Sequence, residues 1–217
     1  MSVLDGIVRV VADSDLAGLM AAAVLKASNP ELEVHFAHPA LLRAGKIDHL
    51  IDRKTAICDL PFHEDCGLYL DHHLTNRPNS EQQTVFENQG GICHWRDTPS
   101  AARAAYDLMK NELDLSHLDE IMPIVDDLDS GGISLEDFMQ DGPVIRLSRS
   151  LSLSDPEHMQ VVLDQFASGL PLEEILQSHK QRLDELCYER EIQAQAVEEL
   201  SLIHITEPTR RRGIAYA

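Results

Sequence analysis

The chain has 217 residues, with 37 Asp and Glu against 18 Lys and Arg, a formal net charge of −19. That length holds one large domain or a domain with an appendage, and 43% apolar residues are enough for a core. So acidic a balance excludes gripping a long nucleic-acid backbone through broad basic patches, which need clustered Lys and Arg. The four cysteines show no CxxC spacing, no basic-then-apolar leader stands at the N-terminus, and no apolar run reaches membrane-spanning length. These features predict a protein of the reducing cytoplasm that does not enter the membrane.

In chain order, the first half alternates strand and helix patterns. Residues 6–12 are apolar and β-rich, and residues 15–28 (DLAGLMAAAVLKAS) read as an Ala/Leu-rich helix stopped at Asn29-Pro30. ELEVHFAHP is a second strand, LLRAGKIDHLI a second helix, TAICDL a third strand and CGLYL a fourth. From residue 98 the pattern is helical. A helix begins near Thr98-Pro99-Ser100, with Thr98 or Ser100 as cap. Others follow over residues 116–127, 134–152 and 155–168. Residues 171–200 form one long amphipathic pattern, suited to linking domains or packing on a partner. The predicted fold is α/β, a mainly parallel sheet flanked by helices, followed by a helical region and a long C-terminal helix.

The expected organisation is a domain over residues 1–170, a linker helix over 171–200 and an atypical tail over 201–217. That tail, SLIHITEPTRRRGIAYA, departs abruptly from the acidic helix before it. It reads either as a foreign end or as a short strand added to the sheet.

The chemistry gathers at strand ends. GIVRVVADSD closes on Asp13 and Asp15, TAICDL reaches Asp59, and GLYLDHHLTN stops at Asp71-His72-His73. In a parallel sheet these ends converge on one crevice. Carboxylates with imidazoles form a mixed hard-to-borderline donor set that suits Mn²⁺, Mg²⁺ or Zn²⁺. The run VDDLDSGG adds Asp126, Asp127 and Asp129 near a helix C-terminus, where the helix dipole disfavours negative charge unless a cation is near. Cys58, inside an apolar strand, reads as core. His35 and His38 read as structural, and His117, His158 and His179 as surface residues. No GxGxxG follows the first strand, which sets aside a Rossmann-type dehydrogenase.

Taken together, RVVADSDLAGLMAAAVLK, FAHPALLRAGKI, CDLPF, GLYLDHHLTN, PSAARAAYD, VDDLDSGGISLEDF and PLEEIL resemble the DHH phosphoesterase family, in its exopolyphosphatase-related branch. The resemblance covers roughly residues 6–200. It implies metal-dependent hydrolysis, with Mn²⁺ or Mg²⁺, of a phosphodiester or phosphoanhydride bond in a small phosphorylated substrate: a short oligonucleotide, a cyclic dinucleotide or polyphosphate. Carried over, Asp59 bridges two cations, Asp13 and Asp15 each bind one, and His72 is a ligand. His73 then serves the substrate phosphate or leaving group, and Asp71 orients a histidine or binds directly. Asp126 supplies the last carboxylate, with Asp129 as the alternative. The helix beginning near Asp15 is also placed to aim N–H groups at a phosphate. Implied partners are the small phosphorylated substrate, short single-stranded nucleic acid and a second copy of the chain.

Two departures qualify this. Family members place a histidine four residues before the first Asp of a DxD pair, and here that position holds Arg9 when Asp13 is first. Aligning Gly18 with the family glycine instead makes Asp15 first, puts Val11 at the histidine position and turns the second Asp into Ala17. In either register one of two cation sites is degraded. The glycine- and histidine-containing motif of the family's second domain does not occur. The alternative function is therefore a degenerate or truncated domain that binds metal or nucleotide without turnover.

Overall fold

The computed structural model describes residues 3–206, with side chains through residue 193. Five strands, β1 (Arg9–Asp13), β2 (Glu33–Ala37), β3 (Thr55–Cys58), β4 (Leu68–Asp71) and β5 (Ile92–Trp95), form one sheet in the order β2-β1-β3-β4-β5. Every pairing is parallel. Ten α-helices accompany them among the described residues: α1 (Leu16–Ser28), α2 (Pro39–Arg43), α3 (Ser80–Asn88), α4 (Ala101–Met109), α5 (Met122–Ser130), α6 (Leu135–Gln140), α7 (Pro143–Ser150), α8 (Pro156–Ala167), α9 (Leu172–Ser178) and α10 (Lys180–Thr206). The fold is α/β, with helices on the sheet and a helical region after it.

The strand order fixes where a ligand can sit. From β1 the chain crosses outward to β2, then returns to lay β3 on the other side of β1. Adjacent crossovers therefore diverge above the C-terminal ends of β1 and β3, and a crevice opens there.

Pleat alternation sorts the core. Val11, Ile57 and Tyr69 join Leu42 of α2, Phe86 of α3 and Leu60 on one face. On the other, α1 contacts β1 and β3 and packs against α4 and α8. Helix α1 is buried almost all round from Leu16 to Leu25, which is why its sequence lacks a polar face. Burying Leu19, Met20, Val24 and Leu25 contributes roughly 2 kcal/mol each. Its start presses on β1: a Cβ on Gly18 would lie 2.5 Å from the carbonyl oxygen of Asp13. Only glycine permits that approach, so the β1–α1 turn is tight.

Several expectations need correction. The helix expected over residues 41–51 is the short α2 followed by a 3₁₀ turn at Asp48–Leu50, because Gly45 takes a φ of 65° between them. Strand β5 and helix α3 were not anticipated. The pattern expected as one helix over 171–200 is two, with His179 between α9 and α10. One compact unit ends at Ser178, and α10 belongs to a second. Residues 201–206 continue α10 rather than forming a strand; the rest of the tail lies outside the described residues. His158 is buried, 8% exposed, and its Nε2 lies 2.8 Å from the Ser150 hydroxyl. No described helix is long and apolar enough to cross a membrane.

Candidate metal centre

The sheet's C-terminal end collects the acids and imidazoles. Asp59 follows β3 with a φ of 60°, a left-handed conformation that Asp tolerates better than most residues. Its N–H still bonds to the Leu70 carbonyl at 3.0 Å, so the strand ends in register while the carboxylate leaves the pleat alternation. Asp15 caps α1, accepting the Gly18 N–H at 2.9 Å. Asp129 arrives from the last turn of α5.

Ligand atoms of Asp15, Asp59 and Asp129 lie within 4.8 Å of one another, as do those of Asp59, Asp71, His72 and His73. Asp59 is common to both groups. Nε2 of His72 stands 3.1 Å from Asp129 Oδ2 and 3.8 Å from Asp59 Oδ1. These are close in distance but not aligned as hydrogen bonds: both Asp59 oxygens, His72 Nε2 and Asp129 Oδ2 are buried with no hydrogen-bond partner. Buried carboxylates are normally paired, and several unpaired ones facing each other carry a large desolvation and repulsion penalty. A cation removes both. The donors therefore fit a divalent metal: Asp15, Asp59 and Asp129 form one group, and His72 Nε2 stands beside Asp59 and Asp129.

The two histidines are held differently. His72 Nδ1 lies 3.0 Å from the Thr98 carbonyl, which can only accept, so Nδ1 carries the hydrogen and Nε2 keeps its lone pair toward the acids. His73 Nδ1 faces Asp71 Oδ1 at 3.0 Å and Asp59 Oδ1 at 3.3 Å. The contacts with Asp59 and Asp71 push the His73 imidazole up to about 10. Asp71 is saturated instead. Tyr69 donates its hydroxyl to Oδ2 at 2.7 Å, and Oδ1 accepts the His72 and His73 backbone N–H groups at 2.7 and 3.1 Å. Burial alone would raise Asp71, but the bonds from His73 and Tyr69 outweigh it and hold the carboxyl low. Burial raises Asp59, and crowding by Asp15 and Asp129 adds to it, although the nearby His73 ring works against the rise. Asp15 is exposed as a residue, yet desolvation of its carboxylate and the nearby Asp129 raise it too.

The expected set is thus divided. The structure brings Asp15, Asp59, Asp71, His72, His73 and Asp129 together and leaves two residues outside. Asp13 accepts the Ser14 N–H at 2.6 Å and lies in neither group; burial, then Asp15, raises it to about 6. Asp126, the favoured last ligand, is spent elsewhere, taking the Ser100 hydroxyl at 2.6 Å and Arg103 Nε and Nη2 at 2.9 and 2.6 Å. Arg9 sits at the far end of β1, bonded to the Leu50 carbonyl and Glu33. Of the two acids that follow β1, only Asp15 falls in a donor group, with Ala17 buried two residues on. Sequence reasoning missed the Thr98 carbonyl, which has no sequence signal, and Tyr69. The latter was discoverable, since residues two apart on a strand share a face.

No protein-family model and no curated protein matches the sequence. Among solved structures, the chain is similar to the pGpG-specific phosphodiesterase PggH from Vibrio cholerae, with 25% identity over 81% of this chain and 58% of that one and a TM-score of 0.64. It also matches an uncharacterized protein from Helicobacter pylori G27 at 15% identity, over 83% of this chain and 61% of that one, with a TM-score of 0.48. The chain has a DHH-like phosphoesterase fold carrying a candidate metal-binding cluster. It spans 58% of the phosphodiesterase chain it resembles.

Proposed function

We propose that this chain is a metal-dependent phosphoesterase that hydrolyses a phosphodiester in a short linear oligonucleotide. The observation that carries the reading is the convergence of unpartnered buried donors, both Asp59 oxygens, His72 Nε2 and Asp129 Oδ2, at the sheet's switch point. The choice of a phosphodiester over polyphosphate leans on the resemblance to the pGpG-specific enzyme. A divalent cation, Mn²⁺ or Mg²⁺, supplies Lewis-acid polarisation of a phosphoryl oxygen and an acidified water.

The protein's own groups do the rest. Asp59 belongs to both donor groups and is the carboxylate suited to serve two cations. Thr98 holds the His72 tautomer, so no proton must move before Nε2 binds a ligand. His73, whose Nδ1 faces Asp71 and Asp59, would turn its Nε2 toward the phosphate or the departing oxygen and, when protonated, donate there. Asp71 keeps that ring oriented.

A second reading has its own support: Ala17 and the distant Arg9 leave the β1 side poor in donors, which favours one cation bound without turnover. Mn²⁺-dependent cleavage of a linear dinucleotide and of polyphosphate, measured on the wild-type chain, Asp59→Asn and His72→Ala, tests both. Loss of at least about 100-fold in each variant is expected. Cleavage unchanged in both would sink the phosphoesterase reading, whereas near one metal per chain with no cleavage supports the second.

A further inference from the structure

We infer that Arg77 and Trp95 form a base-stacking wall beside His73, on which a base of the substrate lies next to the scissile phosphate; this rests on the phosphoesterase reading above. Trp95 is the chain's one tryptophan and ends β5, paired in register with Asp71. Its indole N–H donates to the His73 carbonyl at 3.0 Å, so the ring is tied directly to the edge of the donor cluster. The exposed Arg77 places its guanidinium carbon 4.3 Å from the centre of that ring. A guanidinium held over an indole is a surface on which bases stack, and each such contact tolerates any base because every base has a π-face.

The surrounding charge agrees. In a chain of net charge −19, the exposed Arg43 and Arg96 stand on the same rim, Arg43 Nη2 on Asn76 Oδ1 at 3.3 Å and Arg96 Nη1 on the Trp95 carbonyl at 2.8 Å. Cations at the edge of an otherwise acidic site match a ligand that carries phosphates beyond the one being cleaved. Polyphosphate would use the arginines but gain nothing from the indole. A linear dinucleotide uses both.

The bland account is that Arg77 and Trp95 only pin the loop that holds His72 and His73. Loop pinning acts equally on every substrate; stacking does not. Steady-state cleavage of a linear dinucleotide and of inorganic polyphosphate in Mn²⁺ would be compared for wild type, Arg77→Ala, Trp95→Leu and Trp95→Phe. Trp95→Leu is expected to raise KM for the dinucleotide about tenfold and that for polyphosphate far less; Arg77→Ala should raise both, the dinucleotide's more, and Trp95→Phe, which keeps a π-face without the indole N–H, should fall between wild type and Trp95→Leu. Because Trp95 is the sole tryptophan, its fluorescence should be quenched saturably by the dinucleotide and not by pyrophosphate. Dinucleotide cleavage with unquenched Trp95, or equal losses on both substrates, overturns the wall alone. A chain that neither binds nor cleaves either compound overturns the phosphoesterase reading and the wall with it.

Discussion

Around the ends of β3 and β4 the protein leaves donors unused, whereas at the β1–α1 turn it spends or omits them. Asp59 and the Nε2 of half-buried His72 are sequestered with no hydrogen-bond partner, and Asp129 joins them from α5. At the turn, Asp13 is occupied by Ser14, Asp15 partly by Gly18, position 17 is a methyl group, and Arg9 lies at the wrong end of its strand. Both regions are rich in acids, so the number of carboxylates does not distinguish them. What does is whether a buried carboxylate has a partner, because an orphan persists only where something else will neutralise it.

The largest expected effect comes from the two acids one turn apart on α5. Asp129→Asn should weaken Mn²⁺ binding by about 100-fold while leaving the metal-free chain as stable or slightly more so, since it relieves repulsion with Asp59 and Asp15. Asp126→Ala should do the reverse. It strips Arg103 and Ser100 of their acceptor and lowers stability by about 2 kcal/mol, with a small change in metal affinity. Calorimetric Mn²⁺ titration and urea unfolding in chelator read the two quantities separately. If Asp126→Ala loses the metal and Asp129→Asn keeps it, the division drawn between satisfied and orphaned acids fails.

That pair also marks the limit of what the sequence could say. Residues 126 and 129 lie on one helix face, and nothing local distinguishes them; the choice is made by Arg103, on a different helix, capturing the first. His72 depends likewise on a carbonyl 26 residues away. By contrast β1, β3 and β4 were legible because their apolar runs are buried on both faces and end at acids. Helix α1 was legible from its composition and the Asp15 cap. Strand β5 was not, since ICHW is a half-exposed edge with His94 in it. Helix α3 was not, because SEQQTVFEN buries only Phe86. Both are held by tertiary contact and the Asn79 capping box more than by periodicity.

A smaller effect would repair the poorer region. Ala17 lines a cavity of about 140 Å³ with Asp15, Asp129 and Ser148. Ala17→Asp places a carboxylate there and should raise bound Mn²⁺ from near one per chain toward two, measured by elemental analysis after gel filtration. The metal-free variant should be less stable, for it adds a fourth acid to the cluster. Stoichiometry that stays at one with the fold intact would mean that the β1 side lacks more than this ligand.

The smallest effect concerns Asp13, the acid outside both groups. Its carboxyl is raised from 3.8 to about 6 by burial and by Asp15, so the folded chain holds a proton that the unfolded chain releases. Between those values the native state binds more protons, and stability of the metal-free chain falls as pH rises. Asp15 and Asp59 are raised as well and push the same way. Asp13→Asn should therefore flatten the fall between about pH 4 and 6 only in part, as read from melting temperatures in chelator. With Mn²⁺ present the slope should reverse, because cation binding requires the acids to be deprotonated and strengthens as they lose protons. Identical slopes for wild type and Asp13→Asn in chelator would place Asp13 in solvent, outside the electrostatics of the centre. A slope that keeps its sign in Mn²⁺ would mean that the raised acids are tuned for protons and not for a metal.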